Sequence, residues 1–254
     1  MLILIIVIFL FSCCELPPEP VLEHKLVASA LFSADKKVHS VFVDTTYDLG
    51  ADYPYWNVFP MPGISNATVE MISSDSVYQF IEDTTYYGLQ GDYVCSLIFQ
   101  PGERYQLCIE YKDFDPLEIS FVFPDSISIL YPINSDTIQV GSRLNVTWTA
   151  VNNINIIDKY LFMVYPNPSG IGGMNKWINR NDTIYIFEKF GMSVSENKII
   201  SGFTNNSITI KVSATSIYSS EDIKNGYGYF QFEFPDSVVI FSSIDSISSI
   251  WSLN

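Results

Sequence analysis

From Leu26 onward the chain runs in short segments whose apolar residues are contiguous or spaced by one, separated by clusters of Gly, Pro, Asn, Asp and Ser. Spacing by one sends alternate side chains to opposite faces of a strand, and the turn-forming residues end it. No long stretch repeats its apolar positions at helical spacing. The pattern predicts strands over 25–32, 38–44, 67–72, 93–99, 104–111 and 117–123. A second set is predicted over 127–131, 143–149, 160–165, 183–188, 207–214, 228–234 and 238–241. Either set suffices for a small sandwich, so the expected fold class is all-β, with two tandem antiparallel β-sandwich domains.

Ahead of the strands lies an unbroken apolar run from Met1 to Ser12, followed by Cys13-Cys14-Glu15. The run is shorter than the ~20 residues that cross a bilayer, and it fits the apolar core of a secretory signal, roughly 7 to 15 residues. Ser12 directly before Cys13, with Leu10 two places further back, resembles the bacterial lipobox, whose cysteine is acylated and becomes the mature N-terminus. Cys14, with Phe11-Ser12 ahead of it, is the alternative acylation site. No Lys or Arg precedes the run, so the usual basic segment is missing or lies upstream. Pro17, Pro18 and Pro20 favour an extended, solvated tether. The expected organisation is a signal peptide over 1–12, a tether over 13–24, and sandwiches over 25–124 and 125–254.

The division at Pro124 rests on an echo: Phe123-Pro124-Asp125-Ser126-Ile127-Ser128-Ile129 returns as Phe234-Pro235-Asp236-Ser237-Val238-Val239-Ile240, an offset of 111 residues. A repeat at domain-sized spacing suggests two sandwiches closing with the same strand exit; chance convergence on strand-turn-strand chemistry gives the same letters. Charged residues make up only 16% of the chain, which argues against disorder and coiled coil and for something packed. The formal net charge is -15, and such a surface repels phosphate backbones, so nucleic acid is not expected as a partner. Eight of the thirteen basic residues fall after Pro124, which leaves the first unit the more acidic.

In the second unit, Ile129-Leu130-Tyr131-Pro132, then Asp136-Thr137-Ile138-Gln139-Val140-Gly141-Ser142, then Leu144-Asn145-Val146-Thr147-Trp148-Thr149 looks like the immunoglobulin-like module of a yeast cell-wall-synthesis family (Kre9/Knh1-like), and more loosely like fibronectin type III. The resemblance implies an Ig-like sandwich in which Pro132 ends a strand, Gly141 permits a turn and Trp148 fills the gap between sheets. The first unit carries Leu26-Val27-Ala28, Ser65-Asn66-Ala67-Thr68-Val69, Gly91-Asp92-Tyr93 and Pro101-Gly102-Glu103-Arg104-Tyr105-Gln106-Leu107. In that order they resemble transthyretin-like or carboxypeptidase-regulatory-like domains of Bacteroidota cell-envelope lipoproteins of unknown function. That implies a place, not an activity.

Cys95 and Cys108 flank the turn signal Gln100-Pro101-Gly102-Glu103. A two-residue loop would set the cysteines opposite each other, within disulfide reach. A three-residue loop matches the hydrophobic faces better and puts Cys108 on the other side. Disulfide and free thiols both remain open.

The two histidines, His24 and His39, read as ordinary surface or strand residues, and no H-E-x-x-H, G-x-S-x-G or G-x-x-x-x-G-K-[ST] occurs. No carboxylate pair stands out for glycosidase chemistry. Asp113-Phe114-Asp115 and Glu221-Asp222 lack the ligand spacing of a calcium loop and read as solvated turns. Neither catalytic nor metal-binding residues are therefore assigned, and no cofactor is expected. The candidate binding residues are aromatic: Tyr53, Tyr55 and Trp56 in a proline-rich loop, and Trp177 in a Gly- and Asn-rich one. Folding back to cap the sandwiches is the structural reading of the same rings.

Asp followed by Ser or Thr and a β-former recurs at Asp44, Asp75, Asp83, Asp125, Asp136, Asp182, Asp236 and Asp245. The triplet resembles the O-glycosylation acceptor of exported Bacteroidota proteins, but turn-to-strand junctions in any all-β chain also generate it. The function expected is a non-enzymatic binding or interaction module, lipid-anchored to the outer membrane outside the cytoplasm, with an envelope protein or glycan as partner. The alternatives are an accessory carbohydrate-binding protein using the loop aromatics, and an envelope glycosidase with an unrecognised carboxylate pair.

Overall fold

A computed structural model describes residues 23–46, 63–84, 90–166, 174–190, 192–193, 198–199 and 207–243. The signal run, Cys13, Cys14 and the loop with Tyr53, Tyr55 and Trp56 lie outside the described residues. The chain forms β1 (Leu26–Ser33), β2 (Val38–Thr45), β3 (Thr68–Ile72), β4 (Val77–Glu82), β5 (Asp92–Ser96), β6 (Arg104–Glu110) and β7 (Leu117–Val122). There follow β8 (Ile129–Tyr131), β9 (Thr137–Gln139), β10 (Leu144–Trp148), β11 (Lys159–Pro166), β12 (Met174–Asn179) and β13 (Ile184–Phe187). A two-residue pair, β14 (Met192–Ser193) with β15 (Lys198–Ile199), precedes β16 (Ser207–Tyr218) and β17 (Gly226–Ser243).

One continuous layer runs in the order β12-β11-β16-β17-β1-β2-β5. The first half of β17 pairs in parallel with β1, from Leu26↔Gly226 to Ser33↔Glu233, and its far end pairs in parallel with β9. Even-numbered residues of β17 point inward along its length. Phe230 and Phe232 enter one core, and Val238 and Ile240 the other, so both cores lie on one side of the layer. Each half has its own cover. Over the first, β4 crosses between sheets, pairing Val77–Phe80 with β3 and Ile81–Glu82 with β5, and β3-β6-β7 complete the second sheet. Over the other lies β13-β10-β8.

Both cores are aromatic. Phe121 stacks on Phe232 with ring centroids 3.8 Å apart, and Phe99 on Phe123 at 4.4 Å. In the second core Trp148 is buried and meets Tyr160 edge-on at 5.5 Å, filling the gap between sheets as expected. Gly141 takes the turn at φ +85°, and Pro132, after a cis Tyr131-Pro132 bond, follows the end of β8.

The fold is all-β as expected, but the units are not simply consecutive. Residues 223–233, assigned by sequence to the second unit, supply Ile223, Phe230 and Phe232 to the first core. The second unit is therefore inserted between the seventh strand of the first and its last. The reason is pairing: β1 needs a neighbour on its open edge, and only a distant part of the chain provides one. The Phe-Pro-Asp echo marks the two places where the chain passes from one core to the other. Phe123 and Phe234 meet edge-on, 6.4 Å apart. The Asp125 and Asp236 carboxylates then accept backbone N–H groups of Asn153 and Ile129, at 3.1 and 2.7 Å. Pro235, which falls between the strands predicted over 228–234 and 238–241, sits inside β17 opposite Ser213.

The cysteine expectation also changes. β5 pairs with β2 and β4, whereas β6 pairs with β3 and β7. Neither hairpin register occurs; Cys95 lies beside His39, Cys108 lies between Glu70 and Glu118, and both are free thiols.

Candidate binding face

β17 opens with Gly226-Tyr227-Gly228-Tyr229-Phe230-Gln231-Phe232-Glu233. Its inward glycines are dictated by close approach: a Cβ at Gly228 would stand 2.0 Å from the Ala28 carbonyl oxygen, and one at Gly226 2.5 Å from Leu117. Alternation then turns Tyr227, Tyr229, Gln231 and Glu233 to the outside of the layer. Their neighbours on β1 are Val27, Ser29, Leu31 and Ser33, and Asp44 and Phe42 of β2 stand beyond Val27 and Ser29. Tyr227 is 44% exposed, Tyr229 46% and Leu31 45%, a large apolar area for the flat face of a sheet.

Polar groups on this face hold one another in place. The Tyr229 hydroxyl donates to Gln231 Oε1 at 3.0 Å, and the Gln231 amide donates to Glu233. Glu233 is only 4% exposed, and burial pushes its carboxyl pKa up despite the Gln231 bond. Beside it, Ser33 Oγ donates to Asp35 at 2.6 Å and Lys211 pairs with Asp35 at 2.8 Å. Burial works against the Asp35 charge, yet bonds from Lys211 and Ser33 hold its pKa below the ordinary value. Because Lys211 belongs to β16 and Asp35 to the β1–β2 turn, this ion pair ties the two units together.

Trp177 shares the outer face. It lies on β12, not on a loop, in a row across Leu161, Ser213 and Pro235. It is 43% exposed, with the Lys159 ammonium 4.2 Å from its ring centre. Ser213 in that row is fully buried, and its hydroxyl has no partner among the described residues.

The other sequence candidates separate. His24 bonds the Thr46 carbonyl through Nδ1 at 3.1 Å and lines a cleft of about 380 Å³ with Glu23, Lys25, Asp113, Phe114, Asp115 and Asn225. His39 is a strand residue, but a buried one: its ring packs on Phe99 at 4.9 Å and its Nε2 bonds the Leu97 carbonyl at 3.1 Å. Burial lowers its pKa. The same cause raises the Cys95 and Cys108 thiols. Asp83 and Asp92 meet at a shallow cleft of about 200 Å³, where burial and then the Asp83 charge raise the Asp92 pKa. Glu221-Asp222 forms a single 3₁₀ turn, in which the Asp222 carboxylate accepts the Ser219 N–H at 2.9 Å. No group of three or more His, Cys, Asp or Glu is placed to hold a metal ion among the described residues.

The family of a domain of unknown function, DUF4249, matches residues 15–245. The chain belongs to this family. No curated protein matches it. Among solved structures it is similar to the crystal structure of the chicken CNTN1 FN1–FN3 domains, at 13% identity and a TM-score of 0.33 over 85% of this chain and 67% of that one. It is also similar to the Clostridium thermocellum CbhA fibronectin(III)-like modules, at 16% identity and a TM-score of 0.29 over 87% of this chain and 95% of that one.

In this DUF4249 chain the sequence reading singled out Trp177 and missed Tyr227, Tyr229 and Gln231. A local signal for them existed in Gly-Tyr-Gly-Tyr, small residues alternating with large exposed ones. Without the neighbouring β1, nothing said which side would be wet.

Proposed function

We propose that this DUF4249 protein is a non-enzymatic binding module of the cell envelope, lipid-anchored to the outer membrane through Cys13, or Cys14, and presenting the outer face of β17 and β1. The observation that carries the reading is the exposed pair Tyr227 and Tyr229 beside Leu31, on a layer made rigid by a hairpin common to both units. The tether would enter at Leu26, which pairs with Gly226. The second core is packed on Val238 and Ile240 of the same strand. At about 3.3 Å per residue that is roughly 45 Å away, so the second unit stands outward from the membrane.

Two measurements on the full chain test this. Radiolabelled palmitate should enter the wild-type protein and be lost in Cys13→Ala, with release from the membrane fraction; label lost only in Cys14→Ala moves the anchor by one residue, and no label at all removes it. A photo-crosslinking residue at Leu31, in cells, should give a defined adduct that the same residue at Ile133, on the β8–β9 turn of the second unit, does not. Equal or absent adducts at both positions would refute a binding face on β1 and β17.

A further inference from the structure

We propose that the ligand of this face is a chain of neutral sugars, laid over Tyr227, Tyr229 and Leu31 and bonded at its edge by Gln231. The inference rests on the binding-module reading and adds the chemical class of the ligand. Its basis is the pairing of two surfaces with different chemistry. Tyr227 and Tyr229 lie two residues apart on one strand, about 6.6 Å, and Leu31, opposite Gln231 and so diagonal to Tyr229, extends the apolar floor to the next strand, whose axis is about 4.8 Å away. A pyranose ring has the same division, with an apolar C–H face that stacks on aromatic rings and a rim of hydroxyls that needs fixed donors and acceptors. The rim partner is in place: Gln231 is held at both ends of its amide by Tyr229 and Glu233, and an amide so held still has one N–H to donate and one carbonyl lone pair to accept with.

Charge selects among sugars. The cations at the floor are paired with carboxylates, Lys25 over the Tyr227 ring with Glu23 at 3.2 Å and Lys211 with Asp35 at 2.8 Å, while Asp44 and Asp92 stand further along the same face. Uronate, sulfate and phosphate groups are repelled there. Shape selects the length of the ligand. A single sugar is bound by enclosure, with most of its surface buried. This site is the open face of a sheet, which makes contact enough only with several sugars in a row.

The test is affinity electrophoresis of the full chain in gels containing xylan, mannan, mixed-linkage β-glucan or amylose, with polygalacturonate and heparin as anionic counterparts. At least one neutral polymer should retard the protein and neither anionic one should. Tyr227→Ala with Tyr229→Ala should weaken retardation about tenfold or more, the size expected for truncating a central aromatic anchor. Tyr229→Phe, which keeps the ring and loses the bond to Gln231, should lose much less, and its unchanged thermal midpoint would show that the fold is intact. Failure of all four neutral polymers to retard the protein overturns the proposal, as does retardation unchanged in the double variant or shared with the anionic polymers. A defined protein adduct at Leu31 together with no retardation would discard the sugar while leaving the binding module standing.

Discussion

The inserted topology predicts that the first unit does not fold as residues 25–124 alone. Cutting there removes β17, which leaves all eight residues of β1 without their outer neighbour. It also removes Phe230 and Phe232, both fully buried, and uncovers Phe121 and Phe32, which lie 3.8 and 5.3 Å from the Phe232 ring. Burying a phenylalanine is worth about 2–3 kcal/mol, so the two removed rings alone account for roughly 5 kcal/mol. That is comparable with the whole stability of a small domain, ~5–15 kcal/mol, before the unpaired edge is counted. In the full chain, Phe232→Ala should cost ~3–5 kcal/mol. Because the β16–β17 hairpin serves both units, the loss should appear in one cooperative transition. Urea unfolding followed by near-ultraviolet circular dichroism reads both proteins. A 25–124 fragment that unfolds cooperatively with full-length stability, or a Phe232→Ala protein with one transition shifted and a second unmoved, would refute the shared hairpin.

Other consequences can be checked in the same protein. Gly228→Ala puts a Cβ against the Ala28 carbonyl oxygen, 2.0 Å away, and should lower the thermal midpoint far more than Tyr229→Ala on the opposite side of the strand. His39 has a folded pKa below its ordinary 6.5, so the unfolded chain takes up the proton first. Stability should therefore be full above that value and fall as pH drops through it, and His39→Leu should flatten the fall in urea unfolding between pH 8 and 5. Glu233, with its pKa raised, acts in the opposite sense at lower pH; Glu233→Gln should remove a loss of stability that grows as pH rises through the carboxylate range. Lys211→Met breaks an ion pair whose Asp35 is about half exposed, and should cost less than ~1 kcal/mol. Mass measurement after denaturing alkylation without reductant should find Cys95 and Cys108 both labelled; an unlabelled pair would mean a bridge.

The elements that were legible are those whose evidence is local. Alternation over Val38–Thr45 or Arg104–Glu110 states both the strand and its buried side, because one core lies on one face. The Trp148 position and the Gly141 turn were readable for the same reason. β12 was not, since only Ile178 of its six residues is buried and an edge strand needs no apolar alternation. β17 appeared as two strands because Pro235 cannot donate to a ladder, although it sits opposite Ser213 without ending the strand. The cysteines were misplaced because a good turn between two strands does not oblige them to pair; Pro101-Gly102 here carries the chain from one sheet to the other. For the aspartate triplets, Asp125 and Asp236 accept backbone N–H groups at the junction, and Asp136 receives the Ile133 N–H at 3.0 Å.

What the sequence by itself determined was the all-β class, most of the strands and the Phe-Pro-Asp signal at the two places where the chain leaves the first core. These depend on which residues are neighbours along the chain. Only the tertiary structure decided that the last strand serves both cores, that the second unit is inserted in the first, and that Tyr227 and Tyr229 face outward as a pair. Those outcomes turn on hydrogen-bond partners that Leu26 and Gly226 find 200 residues apart. The backbone edge of a strand is chemically alike in every strand, so no residue in the sequence names the partner it will take.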